Sequence, residues 1–170
     1  MRKLKKLSFK LFKLLLYPIF LVHHPIYMFF YNNLLFFVGV KFTGKPKYIG
    51  YHVVFDDFSK ITLGDKIVIS DHCHLLTHDF SITTGLISIG KEPDEDIPIN
   101  REINIKDNVF IGKKSIIMPG CTISENVIIG AGSVIRGKIE ADSIVIGNPA
   151  KKVKSLKDYA HNYLSGTTDE

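Results

Sequence analysis

Between Ile105 and Ile135 an isoleucine returns at every sixth position, at 105, 111, 117, 123, 129 and 135. A period of six matches neither the 3.6 of a helix nor the 2 of a strand. It fits a short strand followed by a turn, three of which close one coil of a triangular prism. Four residues after each isoleucine comes a small or β-branched side chain: Val109, Ser115, Cys121, Val127, Ser133 and Ile139. In such a prism the isoleucines of successive coils stack into an interior ladder, with Gly112, Gly130, Asp107 and Asn108 at the corners where the backbone bends. The phase runs upstream through Leu63, Ile69 and Leu75 and, after a two-residue slip near Asp57, through Ile49 and Phe55. Downstream, Ala141 and Gly147 hold the position poorly, so the prism is expected to end there. Residues 43–154 are thus read as an all-β coil, 1–42 as a helical segment, and 155–170 as a closing helix and tail.

The rhythm lapses behind His78 and resumes at Ile105. Because the coils on either side must still stack, Asp79 to Asn104 is expected to leave the prism as a loop, with Pro93, Pro98 and an acidic, mobile tip of Glu92, Asp94, Glu95 and Asp96. His78 would stand at a corner, on the last residue before the chain departs. A neutral imidazole there suits general-base work; the bland alternative is a silent corner cap. His72 occupies the same corner one coil earlier.

Charge is segregated along the chain. No acid precedes Asp56, while nine lysines and arginines do, so the net +5 divides into +9 for the first 55 residues and −4 for the rest. A mildly acidic body speaks against nucleic-acid binding. Lys3 to Leu16 suits an amphipathic helix, with Leu4, Leu7, Leu11, Leu14 and Leu15 on one stripe and Lys3, Lys6, Lys10 and Lys13 opposite. That pattern fits an anionic membrane surface. The charge-free stretch from Leu14 to Val40 is long enough to span, but Pro18, Pro25, His23, His24, Asn32 and Asn33 interrupt it. Three readings stand: attachment to a membrane surface, packing on the protein, and a true span. Cys73 and Cys121 lie on the small inward position and are read as buried free thiols.

From Thr43 to Lys154 the repeats resemble those of the hexapeptide-repeat acyltransferases. The most specific stretch is IIGAGSVI…IVIGNPAKKV, residues 128–153. Its Gly-Asn-Pro-Ala-Lys ending is similar to that of the galactoside, maltose and nodulation-factor acetyltransferases and of the cell-surface polysaccharide acetyltransferases. The resemblance implies a left-handed parallel β-helix, a homotrimer with sites between adjacent prisms, and transfer of acetyl from acetyl-coenzyme A, without a metal, to a sugar hydroxyl of a surface polysaccharide or lipid-linked glycan. It gives His78 the role of base. It puts Asp57, within a one-residue uncertainty of register shared with Asp56, at the acceptor. His52 stands close to where relatives carry an acceptor-site asparagine, near Gly50. On the donor side it implies Phe110 and Lys113 along the pantetheine arm, close backbone approach at Ala131 and Gly132, and phosphate contacts from Arg136 or Lys138 with Lys151 and Lys154. A cytosolic donor implies a cytoplasmic enzyme held peripherally at the inner face of the membrane.

Two other functions use the same scaffold. A non-catalytic membrane-bound assembly would keep the ladder without needing His78. A γ-carbonic-anhydrase-like metal enzyme needs a histidine set in neighbouring coils, whereas no histidine follows His78 until His161.

Overall fold

The computed structural model describes residues 2–166, with side chains from Leu7 onward; the expectations for Arg2, Lys3, Leu4, Lys5, Lys6 and the last four residues lie outside the described side chains. Three faces of parallel strands wind into a prism. The first coil is β1 (Lys41–Phe42), β2 (Tyr48–Ile49) and β3 (Val54–Phe55), and the second is β4 (Ile61–Leu63), β5 (Val68–Ile69) and β6 (His74–Leu75). The chain then departs through β7 (His78–Asp79) and returns through β8 (Ile99–Asn100). The third coil is β9 (Ile103–Ile105), β10 (Val109–Ile111) and β11 (Ile116–Ile117), and the fourth is β12 (Thr122–Ile123), β13 (Val127–Ile129) and β14 (Val134–Ile135). A last partial coil, β15 (Lys138–Ile139) and β16 (Ser143–Gly147), is followed by β17 (Ala150–Ser155). Face A carries β1, β4, β9, β12 and β15; face B carries β2, β5, β10, β13, β16 and β17; face C carries β3, β6, β11 and β14.

The ladder is the core. Leu63, Ile105 and Ile123 stack behind face A, Ile49, Ile69, Ile111 and Ile129 behind face B, and Leu75, Ile117 and Ile135 behind face C, all essentially without solvent contact. Each such side chain contributes about 1.5–3 kcal/mol by leaving water. Cys73 and Cys121 are buried free thiols, and their S–H groups donate to the carbonyls of Gly112 and Ile135. The buried Ser115 and Ser133 hydroxyls likewise donate to Gly112 and Gly130 carbonyls, so the small inward positions are satisfied at the corners.

The upstream slip is a 3₁₀ turn over Phe58–Lys60, inserted between Phe55 and the next coil. The downstream end differs from expectation. Ile139 lies over Ile123, sixteen residues on rather than eighteen, because the corner at Arg136–Gly137 is two residues shorter than its predecessors. Val145, in turn, lies over Ile129. The ladder therefore continues through Ile139 and Val145, and Ala141 and Gly147 never belong to it. After the turn at Asn148–Pro149, β17 folds back antiparallel on β16 and closes the edge of face B. Helix α4, Leu156–Leu164, then crosses outside that face.

At the other end two helices cap the prism. Before the strands, helix α1 spans Arg2–Val22 and α2 spans His24–Val38. Pro18 does not end the first helix, as its sequence suggested; the break falls at His23, whose Nδ1 accepts from the Ile26 N–H. Pro25 sits in the first turn of α2, where a missing N–H costs nothing. Tyr27, Met28, Tyr31, Leu35 and Val38 are buried against the first coil. The Tyr27 hydroxyl donates to the Ile49 carbonyl and Met28 Sδ accepts from the Ile49 N–H, so α2 covers the free edge of β2.

Candidate active site

The corner between faces C and A carries His78. There Thr77 is fully buried, its carbonyl accepting from the Arg101 N–H of the returning chain at 2.9 Å. The next residues, His78 and Asp79, pair antiparallel with Asn100 and Ile99, so the excursion leaves and re-enters through a two-stranded stalk. It re-enters at Ile103, already buried in β9, two residues before the expected Ile105. Nor is the excursion wholly irregular. Asp79 Oδ1 accepts from the Ser81 N–H at 2.7 Å and opens a further helix, α3, over Ser81–Ser88, while the acidic stretch from Glu92 to Asp96 is irregular and largely exposed.

One coil below, Asp56 directly follows β3. Because Phe55 pairs with Leu75, the residues that follow these two turn the same corner in adjacent coils, about 4.8 Å apart. Asp56 Oδ2 consequently meets His78 Nδ1. The same oxygen accepts from the Thr77 N–H and hydroxyl, both at 3.2 Å. A carboxylate can only accept, so this contact puts a ring hydrogen on Nδ1; in the neutral ring the lone pair is then on Nε2. The Phe80 ring stands edge-on to the imidazole at 5.2 Å. Asp79 is held below the ordinary carboxyl range, first by the Ser81 N–H, then by the Ser81 hydroxyl, with Arg136 and His78 adding to the effect.

Asp57, the sequence's candidate for the acceptor, is turned inward. It is buried, and its Oδ1 takes the Ser59 N–H and hydroxyl to cap the 3₁₀ turn. Its neighbour Asp56 is the one that reaches the imidazole. A signal was available, since the ladder register alone places the residue after Phe55 beneath those after Leu75. Arg101 also went unread: its side chain lies over Gly120, where φ is +84° and an added Cβ would come within 2.9 Å of Arg101 Cδ.

The remaining candidates divide by position. Arg136 shares the His78 corner, two coils farther along. His52, Lys113, Ala131 and Gly132 lie on the corner between faces B and C. There His52 stacks on His72 at 4.8 Å and its Nδ1 stands 3.5 Å from Asp71 Oδ1. Gly132 takes φ +69°, and Gly112 packs so closely beneath Ala131 that a Cβ would lie 2.6 Å from the Ala131 nitrogen. Phe110, Lys151 and Lys154 belong to face B. Phe110 forms the floor, with Val68 and Ile128, of a groove of about 660 Å³ roofed by Tyr159 and Tyr163 of α4, with Lys47 and Lys66 also lining it. In a triangular section face B is opposite the corner between C and A. Within one chain, therefore, Phe110 and His78 stand on opposite sides of the prism. Among the described residues no group of three or more histidine, cysteine, aspartate or glutamate side chains is arranged to hold a metal.

Residues 102–137 match the bacterial transferase hexapeptide family as six repeats. The chain is 26% identical to the galactoside O-acetyltransferase of Escherichia coli over 142 residues, 84% of this chain and 64% of that one. A maltose O-acetyltransferase from Clostridium difficile superimposes with a TM-score of 0.58 at 27% identity, covering 74% of each chain. A hexapeptide-repeat acetyltransferase from Vibrio cholerae, solved with acetyl-coenzyme A, superimposes at 0.59 and 25% identity, covering 75% of this chain and 77% of that one. Between half and two thirds of the length of such curated relatives is spanned by this chain. Stacked six-residue turns with a histidine at the mouth of an excursion define a hexapeptide-repeat protein, and its coil is the left-handed parallel β-helix. The chain is similar to the hexapeptide-repeat acetyltransferases in its repeat, its fold and its sequence.

Proposed function

We propose that the chain transfers acetyl from acetyl-coenzyme A to a sugar hydroxyl, with His78 as general base and Asp56 as the group that orients it. One observation carries this reading: the Asp56 carboxylate faces Nδ1 of a half-exposed imidazole, which leaves Nε2 free to accept a proton. The acceptor hydroxyl would attack the thioester carbonyl while Nε2 takes its proton. Collapse of the tetrahedral adduct expels the coenzyme A thiolate, which receives that proton from the imidazolium. No covalent enzyme intermediate is needed.

The donor has a long, partly apolar arm and a phosphorylated end, which suits a groove finished by cations. Face B offers such a surface, with Phe110 along it and Lys151 and Lys154 on its last strand. Since face B is opposite the His78 corner, a complete site needs His78 of one chain against face B of another. A homotrimer supplies that apposition three times. Named sugars in the galactoside and maltose relatives support a sugar acceptor, and a surface polysaccharide or lipid-linked glycan is the acceptor class we favour. Acetyl-coenzyme A is cytosolic, so the prism would work in the cytoplasm.

The test is incubation of purified protein with acetyl-coenzyme A and a panel of sugar acceptors, reading released thiol. His78→Ala should lower the rate by about 10²–10⁴ with its thermal melt unchanged. Full activity in that variant would remove the base. Co-expression of His78→Ala with Phe110→Ala should restore part of the rate, because mixed assemblies contain one intact pairing; no recovery would refute the shared site.

A further inference from the structure

The leucine stripe of α1 faces away from the protein. The helix docks through Phe9, which packs on Phe58 at 4.7 Å, and through Lys13, whose Nζ stands 4.8 Å from the centre of the Tyr51 ring. Leu7, Leu11, Leu14 and Leu15, on the opposite side, are each between 61 and 65% exposed. An amphipathic helix in water normally does the reverse, burying its apolar stripe on the core. The second helix repeats the arrangement. While Tyr27, Tyr31 and Leu35 are buried on the prism, Phe29, Phe36 and Phe37 are exposed by 60 to 69%. Two packed helices thus display apolar side chains that, among the described residues, stand exposed.

Charge selects the occupant. Every ionised side chain before Asp56 is a cation, and the exposed Lys45 and Lys47 line the same cleft as Phe29 and Pro25. A second copy brought face to face would oppose like charges, whereas an anionic lipid surface complements them. Neither described helix is long and apolar enough to cross a bilayer. We propose that the α1–α2 hairpin is a monotopic docking platform for an anionic bilayer, lying in the headgroup layer with the α1 leucines and α2 phenylalanines inserted. Because α2 caps the first coil, the prism would stand on the membrane by its N-terminal end. His78, at the end of the second coil, would then lie one coil spacing, about 4.8 Å, beyond the first coil's strands. That height suits an acceptor sugar carried on a lipid, a consequence that also requires the transfer activity proposed above.

Full-length protein should be sedimented with phosphatidylcholine vesicles and with vesicles that also contain phosphatidylglycerol. Binding is expected to the anionic vesicles, weakened by added salt. Leu11→Asn, Leu14→Asn and Leu15→Asn together should reduce the bound fraction at least about tenfold, with size and thermal melt unchanged. Since the chain has no tryptophan, Phe36→Trp gives a clean reporter whose emission should shift to the blue on adding those vesicles. His78→Ala should bind as the parent does, which separates this platform from the chemistry. Equal binding by the triple variant, an unshifted reporter, or assembly into larger oligomers through this face with no vesicle binding would each overturn the proposal.

Discussion

Two corners of the prism each set a histidine against an aspartate, and they differ in what surrounds the ring. At the corner between faces C and A, Asp56 meets Nδ1 of His78 while also taking two bonds from the buried Thr77. The aspartate is fixed from the protein side, and the rest of the ring lies beside the mouth of an excursion. At the corner between faces B and C, Asp71 Oδ1 is already engaged by the His52 N–H at 2.9 Å and stands 3.5 Å from the ring nitrogen. The His52 ring is stacked on His72 and edged by Tyr51. Composition is the same in both places. The two pairs thus differ in contact and surroundings: Asp56 Oδ2 touches the His78 nitrogen directly beside the excursion, whereas Asp71 stands farther from a ring that is stacked on a second histidine.

Substitutions can break or sharpen this contrast. After His78→Ala, Asp56→Asn should have the largest effect, lowering turnover about ten- to a hundred-fold, part of the roughly 10²–10⁴ that a positioned base supplies. Its KM for the acceptor should move little, and an undiminished kcat would make the two corners equivalent. The adjacent Asp57→Ala should act on the fold instead. Loss of the cap on the 3₁₀ turn should cost about 1 kcal/mol in urea unfolding, with kcat retained in the folded fraction. His52→Ala should change turnover by less than about twofold, an inconsequential change on the scale of a proton-transfer role; a large loss would move His52 into the chemistry.

Lys13 gives the smallest and most specific test of the second corner. Burial among aromatic rings lowers its pKa from 10.5 to about 8, partly opposed by Asp71. In the unfolded chain the amine keeps its proton up to about 10.5, so between these values the unfolded state binds more protons than the folded one. This group's destabilising contribution is therefore fully present below about pH 8 and fades as pH rises toward 10.5. Lys13→Met should flatten that part of the stability profile, measured as urea midpoints across the window. An unchanged slope would show that the amine is solvated.

Much of the architecture is legible in the sequence. The period of six named the coil, the lapse after His78 marked the excursion, and the slip near Asp57 marked an insertion. The last coil escaped because a corner shortened by two residues shifts the phase of everything after it, moving Ile139 onto the ladder. Helix α3 escaped because its stretch carries Gly85 and two threonines and buries no residue. Asp56 and Asp57 are neighbours of the same type, and composition could not choose between them, although the ladder register pointed to Asp56. The choice rests on which one the turn buries.

By itself the sequence determined the repeating unit, since a ladder residue every six positions admits few closed backbones and each coil templates the next. It also determined where charge is absent. Tertiary structure alone decided which faces meet: the α1 leucines turned outward, Phe110 set across the prism from His78, and one aspartate of two brought to the imidazole. Local periodicity fixes the direction a side chain takes relative to its own strand or helix. Only packing between distant segments fixes what it faces.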